Sequence, residues 1–178
     1  MRQKIIDILG NCLNSNCICS PKNESFIELN VKELYIFDDA KDDIKSPIKL
    51  VEKDNLFQIK ITNTSNNPFV VVKNDACLVS KDIKKCDVLL YNTNEFYFLE
   101  IKDRKVKSKA KARKTAYEQL LSSIIQLKGL DFGSRLKYAV VGFSKPKTKI
   151  ISTGSNSKKA FFKDNYNVKL MEGQNIVL

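Results

Sequence analysis

The chain has 178 residues, of which 43% are hydrophobic, and carries 31 Lys and Arg against 20 Asp and Glu, a net charge of +11. This length and composition suit one globular domain with its own core rather than a disordered chain, and no apolar run is long enough to predict a membrane span. Histidine is absent, which excludes Ser-His-Asp and Cys-His hydrolases, histidine-based nucleases and His-ligated zinc hydrolases, so acid–base or metal chemistry must use carboxylates, Lys, Tyr or Cys.

The N-terminal segment MRQKIIDILGNCLN predicts a short helix, because its apolar residues recur at helical spacing. It has neither the apolar run nor the cleavage site of a signal peptide, so we expect a cytoplasmic protein. The five cysteines are then expected to be reduced thiols. Cys12, Cys17 and Cys19 are close together but lack the usual spacing of a zinc knuckle, which favours buried thiols over a metal site.

The next part of the chain contains several short strand candidates. Residues 25–39, SFIELNVKELYIFDD, fit either a strand or a helix, and residues 40–55 predict a polar loop. LFQIKIT, residues 56–62, alternates like a half-buried strand, and FVVV and ACLV predict two more strands.

The second half of the chain contains the strongest helix signal, an apolar stripe over residues 108–128 followed by Gly129. LKYAVVGFS then predicts a central strand, and KIIST another. SNSKKAFFKDN predicts a short helix, and NVKLMEG and NIVL end the chain in strand-like pieces. This order predicts an α/β (α+β) domain with a mixed sheet and the 108–128 helix packed on one face.

The segment CDVLLYNTNEFYFLEIKD, residues 86–103, places charged residues among strand-forming apolar ones. Asp87 begins the first apolar run, and Glu100 and Lys102 lie near the end of the second. Because side chains alternate along a strand, Glu100 and Lys102 face the same way. A buried charge is costly unless it is paired, hydrogen-bonded or bound to metal. These three residues therefore form either a structural ion pair or a functional site.

A two-residue turn at Thr93-Asn94 would fix the register of this hairpin. It places Tyr91 opposite Phe96, Leu89 opposite Phe98 and Asp87 opposite Glu100. The two carboxylates then share one face with Cβ atoms about 4.5–5.5 Å apart, where Mg²⁺ or Mn²⁺ would relieve their repulsion. Lys102 beside them could orient or deprotonate an attacking water and offset charge on a phosphate, which suits metal-assisted phosphodiester hydrolysis.

A purely structural role for these residues is the alternative. Glu100 and Lys102 would form an ion pair near the strand end, and Asp87 would cap the start of its strand. The acid-x-Lys pattern alone is weak, because it occurs at four other places in the chain. Only the Glu100 copy lies in an apolar strand with an aspartate opposite it, and this context favours a site.

The arrangement resembles the PD-(D/E)XK, or restriction-endonuclease-like, nuclease superfamily. The matching positions are Asp87, then Glu100-Ile101-Lys102, then the 108–128 helix and the strand KYAVVGFS. The resemblance implies an αβββαβ core in which Asp87, Glu100 and the main-chain carbonyl of Ile101 bind Mg²⁺ while Lys102 positions the nucleophilic water. Gln119 matches an accessory position on the helix of some members, although it fits equally well as an ordinary polar helix residue.

On this interpretation residues 1–178 form one nuclease-like domain. The catalytic core spans 55–145, preceded by a helix and extension at 1–54 and followed by strands and a short helix at 146–178. The chain departs from the family pattern in having Cys86 rather than proline before Asp87. Some members also carry a glutamate on the first helix, where this chain has only Asp7. Glu24, Glu28 or Glu33 could serve instead, so one or two metals remain possible.

Basic residues cluster directly after the acid-x-Lys pattern. Residues 102–114 contain eight basic residues and one acidic residue, a net charge of +7. The predicted nucleic-acid contacts are Arg104, Lys105, Lys107, Lys109, Lys111, Arg113 and Lys114. Lysines at a helix N-terminus oppose the helix dipole, and a phosphate partner would explain them. A solvated basic helix end is the alternative for any single lysine.

We therefore expect a Mg²⁺- or Mn²⁺-dependent endodeoxyribonuclease of restriction, junction-resolving or repair type. Its partner would be nucleic acid, DNA in preference to RNA, with no membrane association. Cleavage of both strands by so small a chain suggests a homodimer or a subunit of a larger complex. The alternatives are a catalytically weak or inactive nucleic-acid-binding module on the same fold and a protein that neutralises an acidic partner.

Overall fold

The computed structural model describes residues 1–9, 25–38, 48–53, 55–74, 84–102, 109–143 and 154–178. These residues form three helices and ten strands. The helices are α1 (Arg2–Leu9), α2 (Lys109–Gln126) and α3 (Gly154–Tyr166). The strands are β1 (Phe26–Leu29), β2 (Glu33–Asp38), β3 (Ile48–Val51), β4 (Ile59–Thr62), β5 (Phe69–Lys73), β6 (Val88–Tyr91), β7 (Glu95–Lys102), β8 (Leu136–Phe143), β9 (Lys169–Glu172) and β10 (Asn175–Val177).

The strands form two mixed sheets. A six-stranded sheet has the order β1-β5-β6-β7-β8-β9, antiparallel from β1 to β7 and parallel from β7 to β9. A four-stranded sheet has the order β10-β4-β2-β3, in which only the β10–β4 pair is parallel. The predicted α+β class with a mixed sheet is confirmed.

Apolar side chains cover both faces of the six-stranded sheet. On one face, Phe96 and Phe98 pack with Ala116 and Leu120 of α2 and with Phe162 of α3. The other face packs against the four-stranded sheet. Strands buried on both sides are expected to be almost continuously apolar, as β6 is.

Gly142 marks the closest approach of the two sheets. A Cβ atom added there would lie 2.7 Å from Cγ1 of Ile59 and 3.5 Å from the main-chain oxygen of Gln58. Such distances leave no room for a side chain, so the glycine is needed for the four-stranded sheet to pack on β8.

Two sequence predictions need correction or narrowing. Residues 40–55 were expected to be a polar loop, but residues 48–51 form β3 and pair with β2. The four residues of β3, IKLV, lie within a charged segment, which hides their strand pattern from sequence reasoning. The first of them, Ile48, is 1% exposed. The ambiguous segment 25–39 contains two strands, β1 and β2, and no helix among its described residues. The strand expected in LFQIKIT begins at Ile59.

The other elements agree with the sequence predictions. The 108–128 helix is α2, LKYAVVGFS contains β8, and the segments near the C-terminus form α3, β9 and β10. ACLV, KIIST and the cysteines at 12, 17, 19 and 77 lie outside the described residues. Cys86 is a buried, reduced thiol. Among the described helices, none is both long and apolar enough to cross a membrane.

Candidate active site

The hairpin β6–β7 has the predicted register. Tyr91 pairs with Phe96 and Leu89 with Phe98. The Asn92 side-chain oxygen accepts hydrogen bonds from the main-chain N–H groups of Asn94 and Glu95, both at 2.8 Å, which fixes the turn. The same register, continued one residue beyond β6, sets Asp87 opposite Glu100.

The two carboxylates lie in the interior at one end of the hairpin. Asp87 is 7% exposed and Glu100 is 0% exposed. The Ile101 main-chain N–H donates a 2.6 Å hydrogen bond to Oδ2 of Asp87. This bond ties Asp87 to the strand that carries Glu100. The predicted register of the hairpin is therefore confirmed, and it brings Asp87 next to the end of the strand that carries Glu100.

Lys102 connects this pair to helix α2. Its Nζ donates hydrogen bonds to Oε1 of Glu100 and, at 2.8 Å, to Oε1 of Gln119. Burial alone would lower the pKa of Lys102, but the charges of Glu100, Asp87 and Asp38 and the hydrogen bond to Glu100 outweigh it. Together these groups raise the pKa of Lys102 above its usual value.

The polar side of α2 holds the segment that leads into Asp87. Four α2 side chains bond to the main chain of residues 84–86. Gln119 Nε2 donates to the oxygen of Lys85 at 3.2 Å, Ser122 Oγ and Gln126 Nε2 donate to the oxygen of Lys84 at 2.7 and 3.0 Å, and Ser123 Oγ accepts from the N–H of Cys86 at 2.8 Å. We call these four residues the α2 clamp.

Asn74 holds the same segment from the neighbouring strand. Its Nδ2 donates to the main-chain oxygen of Cys86 at 2.9 Å, and its own N–H donates to the main-chain oxygen of Asp87 at 2.9 Å. Asn74 and Ser123 are 1% and 2% exposed, and sequence reasoning identified neither. A polar residue inside the apolar stripe of α2 was the available signal for Ser123.

A further carboxylate, Glu172, shares the row of Glu100. Glu100 pairs with Val141 of β8, and Val141 pairs with Glu172 of β9. Directly paired residues project from the same sheet face, so Glu172 also points toward α2. Its Oε2 accepts from Nε of Arg113 at 3.0 Å and its Oε1 accepts from the hydroxyl of Tyr117 at 2.5 Å. The sequence contained no pattern that linked these three residues.

The predicted basic contacts are only partly described. Arg104, Lys105 and Lys107 lie outside the described residues, and Lys109 is the first residue of α2. Lys111 and Lys114 are exposed on α2. Arg113 is instead ion-paired with Glu172, and its guanidinium lies 5.8 Å from the ring centre of Phe143.

Of the upstream acids considered from the sequence, Glu28 and Glu33 do not join the two carboxylates. Glu24 lies outside the described residues. Glu28 is in the row of Val70 and Tyr91, four residues along β6 from Asp87. Glu33 bonds to Lys60 and Tyr35 on the four-stranded sheet.

Asp38, which sequence reasoning did not consider, is an upstream acid whose charge is felt at Lys102. Its charge contributes to the raised pKa of Lys102. Its main-chain N–H donates to Oε1 of Gln58 at 2.9 Å, and the main-chain oxygen of Gln58 lies against Gly142 of β8.

The donor set at Asp87 and Glu100 fits a hard divalent cation. No group of three or more His, Cys, Asp or Glu side chains with metal-binding geometry occurs within the described ranges. Mg²⁺ does not require one, because it keeps several waters and commonly binds through one or two carboxylates together with substrate phosphates. The oxygen donors of Asp87 and Glu100 meet this requirement.

Comparison of the chain with protein-family models, curated proteins and solved structures finds no significant match. The resemblance to PD-(D/E)XK nucleases therefore depends on the arrangement of the residues themselves.

Proposed function

We propose that this protein is a Mg²⁺- or Mn²⁺-dependent endonuclease that hydrolyses DNA phosphodiester bonds. The observation that carries the proposal is the buried pair Asp87–Glu100 with Lys102 on the same sheet face. Two adjacent buried carboxylates are costly to maintain. A bound cation would lower this cost.

The order of the central elements supports a restriction-endonuclease-like core. Strands β5, β6 and β7 form an antiparallel meander, α2 follows, and β8 returns parallel to β7. Helix α1 packs on the same core through Ile5, although β1 to β4 intervene along the chain between α1 and β5. The proposed catalytic residues lie just before β6 begins and where β7 ends.

Each residue of the site has a distinct proposed role. Asp87, Glu100 and the main-chain carbonyl of Ile101 would hold the cation, which polarises a phosphate oxygen and activates water when bound. Lys102 carries a positive charge and can donate hydrogen bonds to the attacking water or to a phosphate oxygen. Gln119 holds the ammonium of Lys102 in place through the 2.8 Å hydrogen bond.

Hydrolysis adds water across one phosphorus–oxygen bond and yields a phosphate monoester and a hydroxyl group. The described residues contain one Asp–Glu–Lys site of this kind. Cutting both strands would require two copies of the chain or a larger assembly, which we propose as the functional state.

The alternative function is a nucleic-acid-binding module that does not cleave. The closed ion pair between Lys102 and Glu100 favours it, because such a pair satisfies both side chains without a cation. The two functions differ in whether binding leads to metal-dependent cleavage.

A cleavage assay tests the proposal. Supercoiled plasmid, a labelled branched junction and a labelled single strand would be incubated with Mg²⁺, Mn²⁺ or EDTA. We expect cleavage that requires the metal and falls by at least about a hundredfold in Glu100→Gln and Lys102→Met.

The control variants are Glu33→Gln and Lys60→Met, which disrupt a second glutamate–lysine pair away from the site. They should cleave like the wild type. Salt-sensitive binding without cleavage by the wild type would instead identify the binding module. Cleavage that survives in both site variants would contradict the assigned residues.

A further inference from the structure

The sheet face that carries Glu100 and Lys102 extends from β7 across the neighbouring strands β8 and β9. Strands β7, β8 and β9 are parallel, so their carboxyl ends, at Lys102, Phe143 and Glu172, meet along one edge. Adjacent strands lie about 4.8 Å apart. Glu172 is therefore about 10 Å across the sheet from the proposed catalytic residues.

Arg113 occupies the space between these two positions. Its guanidinium lies over Phe143 on the middle strand and is held by Glu172 on the outer one. The Tyr117 hydroxyl also donates to Glu172, which leaves the carboxylate fixed from two sides. A guanidinium fixed in this way presents its remaining N–H groups in a defined direction.

An open groove begins at Glu172. It has a volume of about 540 Å³ and lies between α3 and β9. Leu170 and Met171 contribute apolar surface to it. Strand β9 pairs only with β8 among the described strands, so the groove lies along the outer edge of the sheet.

The groove is rich in positive charge. Lys159 and Lys163 of α3 and Lys169 of β9 line it and are exposed. The two acids in its lining are Asp164 and Glu172, and Glu172 is already ion-paired with Arg113. The surface therefore carries an excess of cations next to the proposed catalytic site.

We infer that this groove carries the sugar–phosphate backbone of the nucleic acid as it leaves the catalytic site. Lys159, Lys163 and Lys169 contact successive phosphates, and Arg113 contacts the phosphate at the junction between site and groove. This inference rests on the proposed function, which supplies both the ligand, a nucleic acid, and the site from which its backbone enters the groove. Lysine contacts of this kind add affinity and salt dependence without sequence preference.

Nucleic acid is favoured over an acidic peptide because one residue of the groove also belongs to the row of the proposed site. Glu172 lines the groove, fixes Arg113 and lies in the same row as Glu100. A backbone in the groove would be directed toward Arg113 and the proposed site.

The test is a binding titration of a labelled DNA duplex and of a single strand of the same sequence. Both would be measured with EDTA present, so that no cleavage occurs, at several salt concentrations. The groove variant Lys159→Ala/Lys163→Ala/Lys169→Ala should lose at least about tenfold in affinity at low salt, and the slope of log K against log salt should decrease by about two.

The control variant is Lys32→Ala/Lys53→Ala/Lys128→Ala, which removes the same charge from exposed lysines elsewhere. It should lose much less affinity and keep the wild-type salt slope. Thermal unfolding of both variants would show that each is folded.

Equal DNA affinity in the two triple variants would overturn the inference. It would do so even if the groove variant lost affinity for polyglutamate, since the groove would then be a site for acidic protein. A parallel Mg²⁺ cleavage assay separates the two proposals. Cleavage together with equal DNA binding by the two triple variants would contradict the groove inference and support the nuclease proposal. Groove-dependent binding without cleavage would support the groove inference and contradict the catalytic assignment.

Discussion

Each of the two sheets contains a glutamate–lysine ion pair with a direct contact between the charged groups. Glu100 and Lys102 lie two residues apart on β7, with side chains 0% and 19% exposed. Glu33 on β2 and Lys60 on β4 pair across two strands, with side chains 38% and 27% exposed. The second pair is open to solvent, which screens its charges.

The two ion pairs also differ in the residues that surround them. Lys60 and Glu33 adjoin Tyr35, whose hydroxyl donates to Glu33 at 2.5 Å. Glu100 and Lys102 adjoin a second buried acid, Asp87, and the side chain of Gln119. The same two residue types thus form a solvated surface pair in one sheet and part of a buried cluster with a second acid in the other. The comparison indicates that the surroundings of an acid–lysine pair, more than the pair itself, indicate a site.

The largest expected difference between the pairs is in stability. Lys102→Met leaves Glu100 buried without its cation, and we expect a loss of roughly 3–5 kcal/mol in the free energy of unfolding. Lys60→Met should have a far smaller effect, because water can solvate Glu33. Urea unfolding at neutral pH measures both. Similar urea midpoints for the two variants would show that the burial of an ion pair does not determine how much it contributes to stability.

Divalent cations should also distinguish the two pairs. At a Mg²⁺ or Mn²⁺ concentration about a hundredfold above the dissociation constant, we expect about 2.7 kcal/mol of added stability. Asp87→Asn and Glu100→Gln should abolish this gain, and Glu33→Gln should retain it. Thermal unfolding with and without cation measures the shift, and EDTA should reverse it. A shift retained by Glu100→Gln would place the cation elsewhere.

The contact between the two sheets gives a smaller effect. Gly142→Ala would drive a methyl group to within 2.7 Å of Ile59, and we expect a loss of about 1–3 kcal/mol from overpacking. Gly129→Ala is the matched control, because a Cβ atom there has no neighbour within 4 Å. Chemical denaturation measures both variants. Equal stability would mean that the four-stranded sheet can shift on β8 at little cost.

The α2 clamp should affect stability and cation binding together. Ser123→Ala removes the acceptor for the buried N–H of Cys86, at a cost of about 1–2 kcal/mol. Because this N–H directly precedes Asp87, cation affinity should also fall, by about tenfold. Thr115→Ala removes an exposed hydroxyl on the same helix and is the control. Calorimetric titration with Mn²⁺ would measure the affinity, and an unchanged value in Ser123→Ala would limit the clamp to a role in folding.

The smallest expected effect is the pH response of the exposed pair. The hydrogen bonds from Lys60, first, and from Tyr35 hold the pKa of Glu33 below its usual range. A carboxyl with a lowered pKa in the folded state stabilises that state above its unfolded pKa, and this contribution is lost as the pH falls through the folded pKa. The stability difference between wild type and Glu33→Gln should therefore be present at neutral pH and vanish in strong acid. Urea midpoints along a pH series measure it, and a constant difference would contradict the assignment.

The local features of the site could be predicted from the sequence. Alternation along two short apolar runs and a two-residue turn fix the hairpin register, and the register alone brings Asp87 opposite Glu100. Helix α2 was evident from its apolar stripe. Strand β3 was missed because its four residues lie within a charged segment, where composition outweighs a short alternation.

The surroundings of the site could not be predicted in the same way. Asn74, Ser123 and Glu172 reach it from separate elements through contacts that span tens of residues. No periodic pattern encodes such contacts, because they depend on how α2 and β9 pack. Gln119 was considered only because of the family resemblance, and its bond to Lys102 became evident from the structure.

The α2 clamp affects the order in which parts of the molecule fold during synthesis. During synthesis the β6–β7 hairpin is made before α2, yet α2 holds the segment that leads into Asp87. We expect Asp87 and Glu100 to approach each other only loosely in a nascent chain, until α2 has emerged and docked. Hydrogen exchange at the Cys86 amide, which Ser123 protects in the finished fold, would report when that docking occurs. The proposed site would therefore be completed only after α2 has docked.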